Sequence, residues 1–172
     1  MRTQIVVFGT NHPLQCGSNS YTAEQVETFR AHLEEICLSH EIAFVAEEMS
    51  CDGLSRHGKE ASVAAGVASK LRIKYDHIDL EGAERNSLSI DDGSLAVAAI
   101  KLGSGESIEH LRDELTRRIS DPVRECCWFA RILAANAWPT LFICGANHVG
   151  NMCSLIGSIG LDVVIVEHDY MP

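Results

Sequence analysis

The chain has 172 residues, 46% of them hydrophobic and 22% charged, with a formal net charge of −10. This length suits one globular domain with a proper buried core, and this composition is not that of a disordered chain. The acidic balance and the lack of a lysine or arginine cluster exclude large nucleic acids as the expected partner, although a small local patch could still contact a phosphate.

Neither export nor membrane insertion is expected. The chain does not open with the charged and apolar segments of a signal peptide, and no apolar run approaches the roughly 20 residues of a membrane span. The chain has an odd number of cysteines, seven, and no Cys-x-x-Cys pair. We therefore expect reduced cysteines and a cytoplasmic protein with no membrane partner, while the sequence leaves the oligomeric state open.

The first half of the chain alternates between apolar runs and helical patterns. An apolar run over residues 4–9 predicts a buried strand, and Thr22 with Gln25 forms a capping box that opens a helix ending near Ser39. A loop separates the two elements. The elements that follow are, in order, a strand over residues 42–46, a loop with Asp52-Gly53, an alanine-rich helix over 59–71 and a polar strand over 73–80.

The second half continues in the same way. Residues 82–94 are rich in turn formers, and a short helix over 94–102 ends at the break Gly103-Ser104-Gly105. An amphipathic helix follows over 107–119, and Asp121-Pro122, a capping residue and then a proline, opens another. The remaining elements are that helix to about Asn136, a strand over 140–144, a helix over 149–158 and a strand over 163–166.

Strands and helices that alternate in this order predict a single α/β domain over residues 1–172. The expected architecture has three layers, with a central, mainly parallel sheet covered by helices on both faces. Such sheets bind ligands just beyond the carboxyl ends of their strands.

The same short motif occurs near both ends of the chain. Gly9-Thr10-Asn11-His12 follows the first apolar run, and Gly145-Ala146-Asn147-His148 follows the fourth predicted strand. Each motif therefore delivers a histidine to the edge of the sheet where ligands bind. Histidine titrates near neutral pH and serves as general base, general acid or metal ligand. We predict that His12 and His148 meet in one site.

Two acidic residues, Glu47 and Glu48, follow the second predicted strand. Successive strand residues face opposite sides of a sheet, so at most one of these carboxylates is expected to face the site. A carboxylate there could orient a histidine, bind a metal or activate water. Because Met49 can anchor its neighbour against the core, we favour Glu48 and keep Glu47 as the alternative.

Arg124 and Glu125 lie in the first turn of the helix that begins near residue 121. A first-turn glutamate is favoured by the helix dipole, but a first-turn arginine gains nothing from it and needs another reason. A planar guanidinium that faces a cleft can bind an oxyanion or a carboxylate. Both residues are candidate site residues, whereas Asp79 and Arg85, after the third strand, are either further site residues or solvated charges.

Together these motifs resemble those of a superfamily that groups the erythromycin esterases, the ChaN-like haem-related proteins and the TraB/Tiki proteins. Its pattern is two Gly-x-x-His motifs at opposite ends of the domain, with a glutamate after the second strand and an arginine–acid pair opening a helix. The matching positions are Gly9 with His12, Glu47 or Glu48, Arg124 with Glu125, and Gly145 with His148. The resemblance implies a hydrolase-like site more strongly than any particular substrate.

The sequence and this resemblance lead to a hydrolase hypothesis. A histidine oriented by a glutamate would activate water toward a small ester, amide or phosphoester, while Arg124 and the second histidine stabilise negative charge. In a variant, His12, Glu48 and His148 hold a divalent zinc, manganese or iron ion. The alternatives are a non-catalytic small-molecule or haem-binding sensor domain and a phosphoesterase of small nucleotides.

Overall fold

A computed structural model describes residues 3–103 and 107–172 of the chain. The strands are β1 (Gln4–Thr10), β2 (Phe44–Glu47), β3 (Lys74–His77), β4 (Thr140–Gly145) and β5 (Asp162–Glu167). The α-helices are α1 (His12–Gln15), α2 (Ala23–Ser39), α3 (Cys51–Arg56), α4 (Val63–Leu71), α5 (Gly82–Ser87), α6 (Asp92–Leu102), α7 (Ile108–Leu115), α8 (Asp121–Ala135) and α9 (Val149–Ser158). A π-helical turn, Thr116–Ser120, joins α7 to α8, and a 3-10 turn, Ala146–His148, leads from β4 into α9.

The strands form one parallel sheet with the order β3-β2-β4-β1-β5. Helices cover both faces, which confirms the predicted three-layer α/β domain. Strand β4 pairs with β1 on one side and with β2 on the other, so that Thr10 aligns with Gly145 and Glu47 with Ile143. The carboxyl ends of these three strands therefore lie side by side.

Alternation along the strands divides the apolar side chains between two cores. On one face α2 and α4 pack on the sheet, and on the other face α8 and α9 do so. Each fully buried large side chain contributes about 1.5–3 kcal/mol to folding. The first core includes Val6, Phe8, Phe29, Leu33 and Val67, and the second includes Ile5, Val7, Trp128, Ile132 and Met152.

Two short helices, α3 and α5, occupy segments that the sequence predicts as loop and turns. They cap each other: the Glu81 carboxylate accepts hydrogen bonds from the backbone N–H groups of Cys51 and Asp52 at 2.8 and 3.1 Å. In return, Asp52 accepts a hydrogen bond from the N–H of Gly82 at 2.8 Å. Local caps are present as well, with Ser50 accepting from Gly53 and Glu81 forming a capping box with Glu84, but the partners about thirty positions apart leave no local signal in the sequence.

Helix α8 begins at Asp121 with Pro122 in its first turn, as predicted, but the prediction that Asp121 is the helix cap is wrong. Asp121 has helical torsion angles, φ −62° and ψ −49°, and its N–H donates to the carbonyl of Thr116, so α7 continues through the π turn into α8. The chain needs no break here because Pro122, which lacks an N–H, sits in the first turn after the π turn.

The ends of the described ranges complete the domain. Tyr170 packs between the rings of Phe8, Phe29 and His32, and its N–H donates to the carbonyl of Gly9 at 2.8 Å. Gly103 ends α6 as predicted, while the rest of the predicted break, Ser104-Gly105, lies outside the described residues. Among the helices of the described ranges, none has both the length and the apolar character needed to cross a membrane.

Candidate active site

The carboxyl ends of the central strands bring most of the candidate residues together. His12 opens α1 after β1, Glu48 follows β2, and His148 ends the turn after β4. Arg124 and Glu125, on α8, reach this edge through hydrogen bonds to Glu48 and His148. All candidate residues except Glu47 thus belong to one connected network.

Glu48 is the centre of this network, and its side chain is only 1% exposed. Its Oε1 atom lies 2.7 Å from Nη2 of Arg124 and 3.3 Å from Nε2 of His12. Nε2 of His148 approaches the same oxygen at 3.5 Å. Burial alone would raise the pKa of Glu48, but His12, His148 and Arg124 together lower it to about 2. Glu48 is therefore an anion at neutral pH.

His12 is the accessible histidine of the pair, with 46% of its side chain exposed. Its interaction with Glu48 raises its pKa, although partial burial acts in the opposite direction. In the neutral ring, the nitrogen that faces the carboxylate carries the proton, which leaves Nδ1 as an acceptor. His12 thus presents a basic nitrogen that no other side chain of the described ranges occupies.

His148 is the buried histidine, and it is 4% exposed. Its Nδ1 lies 2.7 Å from Oε1 of Glu125, and its ring meets the ring of Trp128 edge-on at a centroid distance of 4.9 Å. Burial would lower the pKa of His148, but the hydrogen bond to Glu125 and the charge of Glu48 raise it overall. The surroundings of His148 therefore favour its protonated form, which can pair with Glu48.

Arg124 is 8% exposed and faces three carboxylates. Its Nε and Nη2 atoms donate to Asp79 at 3.1 and 3.0 Å, Nη1 donates to Asp121 at 3.2 Å, and Nη2 also reaches Glu48. The guanidinium lies 4.8 Å from the ring centre of Trp128. Burial would lower the pKa of Arg124, yet these acids raise it further, so the guanidinium stays charged. Its main role is to hold carboxylates.

Asp79 is more central than the sequence indicated. It is 5% exposed, and it accepts hydrogen bonds from Arg124, from Arg85, and from Nε1 of Trp128 at 2.9 Å. It arrives there because β3 lies beside β2, and the N–H of Asp79 donates to the carbonyl of Met49. The polar end of the third strand was the available signal, whereas nothing marked Asp121 as more than a helix cap.

Glu47 lies on the opposite face of the sheet from these residues. It is fully buried, and its Oε2 accepts hydrogen bonds of 2.5 Å from the hydroxyls of both Ser62 and Tyr75. Burial raises the pKa of Glu47 to about 7, although both hydrogen bonds act to lower it. As the alternation of strand residues requires, only Glu48 faces the histidines.

The glycines of the two Gly-x-x-His motifs stand where a side chain would meet neighbouring atoms. A methyl group on Gly9 would overlap the backbone of His168, which crosses the end of β1. On Gly145 it would lie 2.8 Å from Oδ1 of Asn147 and 3.4 Å from Oε2 of Glu48. The N–H of Gly145 donates to that same Oε2 atom at 2.7 Å. Each motif therefore combines a close backbone approach with delivery of a histidine.

A cleft of about 190 Å³ opens beside the network and is lined by His12, Glu48 and Arg124 at its base. Pockets that enclose drug-sized ligands measure roughly 300–1,000 Å³, so this cleft is smaller than those pockets. Its other walls include Arg56, His57 and Arg85.

The arrangement of the donors does not suit a divalent metal. Both histidine Nε2 atoms approach one oxygen of Glu48, and the Arg124 guanidinium already lies 2.7 Å from that oxygen. A metal ion there would meet a fixed positive charge. Within residues 3–103 and 107–172, no group of three or more histidine, cysteine or acidic side chains is placed to hold a metal.

We compared the chain with family models, with curated proteins and with solved structures, and none of them matches it.

Proposed function

We propose that this protein hydrolyses a small polar ester, amide or phosphoester, with His12 as the general base. One observation carries the proposal: an imidazole that is nearly half exposed lies 3.3 Å from the buried, ionised carboxylate of Glu48 and lines a cleft. A carboxylate in this position orients the ring and stabilises its protonated form. The resemblance of the two Gly-x-x-His motifs to those of the erythromycin esterase superfamily supports the same reaction class.

In the proposed reaction, a water molecule in the cleft attacks the electrophilic carbon or phosphorus of the substrate. Nδ1 of His12 takes a proton from this water as the new bond to oxygen forms, and Glu48 stabilises the resulting imidazolium. The bond to the leaving group then breaks, and the imidazolium returns its proton to the leaving oxygen or nitrogen. A positioned general base of this kind contributes about 10²–10⁴-fold to the rate.

The other members of the network act as positioning residues. Arg124 and His148 hold Glu48 between them, and Glu125 holds His148. The hydrogen-bond donors of Arg124 are occupied by carboxylates of the protein. Arg124 therefore acts on the substrate through its positive charge and not through a direct hydrogen bond.

A domain that binds a small molecule without turning it over is the second candidate. The observation that favours it is that Arg124 and His148 are both paired inside the protein before any substrate binds. Such a network could serve recognition alone.

The decisive experiment measures turnover of p-nitrophenyl acetate, p-nitrophenyl phosphate and an acyl p-nitroanilide by the wild type, His12→Ala and His40→Ala. His40 follows α2, at the opposite edge of the sheet, and is the matched control. We expect His12→Ala to lose about 10²–10⁴-fold in kcat, while His40→Ala retains wild-type rates.

Equal rates in the wild type and His12→Ala would contradict the proposed base. If a small molecule binds the wild type but no substrate of these classes is turned over, the second candidate replaces the hydrolase. Unfolding curves of both variants establish that any lost activity is not lost structure.

A further inference from the structure

We infer that the cleft takes its substrate by an anionic group, a carboxylate or a phosphate, which Arg56 and Arg85 bind with His57 beside them. The inference rests on the proposed function for its reaction, but the anion site is a property of different residues. It makes the substrate a small molecule that carries a fixed negative charge near the bond that is hydrolysed.

The first argument is the balance of charge in the cleft. Its walls carry the three guanidinium groups of Arg56, Arg85 and Arg124 and the imidazoles of His12 and His57. The carboxylates that line it, on Glu48 and Asp79, are already paired with Arg124, Arg85 and His12. In a chain whose net charge is −10, a cleft with spare positive charge is unexpected unless it serves an anion.

The second argument is that part of this positive charge has no partner. Within the described ranges, the side chains of Arg56 and His57 make no hydrogen bond and no ion pair. Arg85 uses Nε for the carbonyl of Leu80, at 3.0 Å, and Nη2 for Asp79. Its Nη1 has no acceptor among the described residues. A carboxylate or phosphate can bind such guanidinium donors in a bidentate manner.

The third argument is that the helices carrying the two arginines are joined to each other. Arg56 ends α3 and Arg85 lies in α5, and these are the helices that Glu81 and Asp52 cap across each other. Arg85 is further fixed by its ion pair with Asp79. Because Arg85 is already held, the exposed Arg56 side chain is the one that has to be ordered when the anion binds.

The neighbouring depressions indicate the orientation of the substrate. Arg56 and Arg85 also line a depression with Gly82, Asp91 and Asp92, whereas His12 lines a different one with Gly145. The arginines and His12 therefore lie toward different ends of the cleft. With about 190 Å³ available, the charged group and the reacting bond of the substrate are separated by only a few atoms.

The test measures binding of sodium phosphate, sodium acetate and acetamide by isothermal titration calorimetry at constant ionic strength. Acetamide is the neutral counterpart of acetate, and the phosphate and acetate arms distinguish the two kinds of anion. The proteins are the wild type, Arg56→Gln, Arg56→Lys and Arg72→Gln. Arg72 ends α4 just before β3, at the opposite edge of the sheet, so its variant carries the same charge change away from the cleft.

We expect saturable binding of phosphate or acetate, but not of acetamide, with one site per chain. Arg56→Gln should weaken it about 10- to 100-fold, Arg56→Lys less, and Arg72→Gln not at all. Because the Arg56 side chain is exposed, its variants should unfold as the wild type does.

No saturable anion binding at concentrations up to tens of millimolar, or equal weakening in Arg56→Gln and Arg72→Gln, would overturn the inference. Arg56-dependent binding without any hydrolysis would sustain the anion site and remove the hydrolase. Hydrolysis that depends on His12 without anion binding would sustain the hydrolase and remove the anion site.

Discussion

Glu48 and Gly145 are joined by a hydrogen bond of 2.7 Å from the glycine N–H to Oε2, although 97 positions separate them. The bond fixes the carboxylate beyond the end of β2 to the first residue of the second Gly-x-x-His motif. It leaves Oε1 for Arg124 and the two histidines. Two motifs from opposite ends of the chain thus share one acidic residue, because β4 pairs with both β1 and β2.

This relationship predicts that Gly145→Ala damages the site. The added methyl group would displace the end of the Asn147 side chain and come into contact with the Glu48 carboxylate, and we expect the free energy of unfolding to fall by about 1 kcal/mol. Gly150→Ala is the control, because a methyl group there meets nothing within 4 Å and α9 gains up to about 1 kcal/mol of helix propensity. Urea unfolding measures both, and equal effects of the two substitutions would refute the close-packing explanation.

Glu48→Gln should destabilise the protein strongly. It removes the anion on which Arg124 and the histidines converge, and we expect a loss of about 3 kcal/mol at pH 7. The folded-state pKa of Glu48 is lowered from 4.5 to about 2, so its contribution is present above about pH 4.5 and is lost as pH falls toward 2.

Urea unfolding of wild type and Glu48→Gln at several pH values checks this, and the two should converge in acid. Glu35→Gln, at a side chain that is 79% exposed, should change stability by less than about 0.5 kcal/mol. A difference between wild type and Glu48→Gln that is independent of pH would exclude an ionised Glu48 as its source.

The sequence predicted the order of the strands and major helices along the chain well, because buried strands and amphipathic helices have local patterns. It did not predict the short helices α3 and α5, whose caps come in part from Glu81 and Asp52 across the fold. The third strand is also shorter than predicted. After His77 the chain bonds instead to backbone groups at Glu47 and Met49.

The sequence predicted those site residues that are marked by their local position in the chain. The two Gly-x-x-His motifs and Glu48 stand directly after strands, and Arg124 is an odd choice for a first helical turn. The importance of Asp79 follows only from the adjacency of β3 and β2, which alternation of elements does not specify. Arg56 and His57 line the cleft because α3 places them there, and the sequence predicts a loop in this segment.

Chelation should leave the protein unaffected. Arg124 lies 2.7 Å from the Glu48 oxygen that a metal would need, and a divalent ion would have to displace this cation. Prolonged dialysis against EDTA should therefore change neither the melting temperature nor any hydrolytic rate, measured before and after dialysis. Loss of activity that zinc, manganese or iron restores would revive the metal-dependent variant of the hydrolase.

Glu47 should make the protein less stable as the pH rises from about 4.5 to about 7. Burial raises its folded-state pKa from 4.5 to about 7, so between these values the folded state binds a proton that the unfolded state has lost. Stability then falls with rising pH, by roughly 3 kcal/mol in total. Glu47→Gln should flatten this part of the curve, measured by urea unfolding from pH 4 to 9.

Tyr75→Phe provides an independent check on Glu47. It removes one hydroxyl that donates to the carboxylate, which raises the folded-state pKa of Glu47 further and extends the fall in stability to higher pH. A wild-type curve that rises across this range would show that Glu47 is ionised in the folded protein.

His12 should titrate above the ordinary histidine value of 6.5, because its interaction with the Glu48 carboxylate outweighs its partial burial. A general base must be neutral, so kcat/KM is expected to rise with pH through this raised pKa and to level off above it. NMR titration of the His12 ring gives the midpoint without any substrate. His77, whose pKa burial lowers, should titrate below 6.5 in the same sample. In Glu48→Gln the His12 midpoint should shift downward, and a midpoint unchanged by that substitution would remove the pairing on which the proposed chemistry depends.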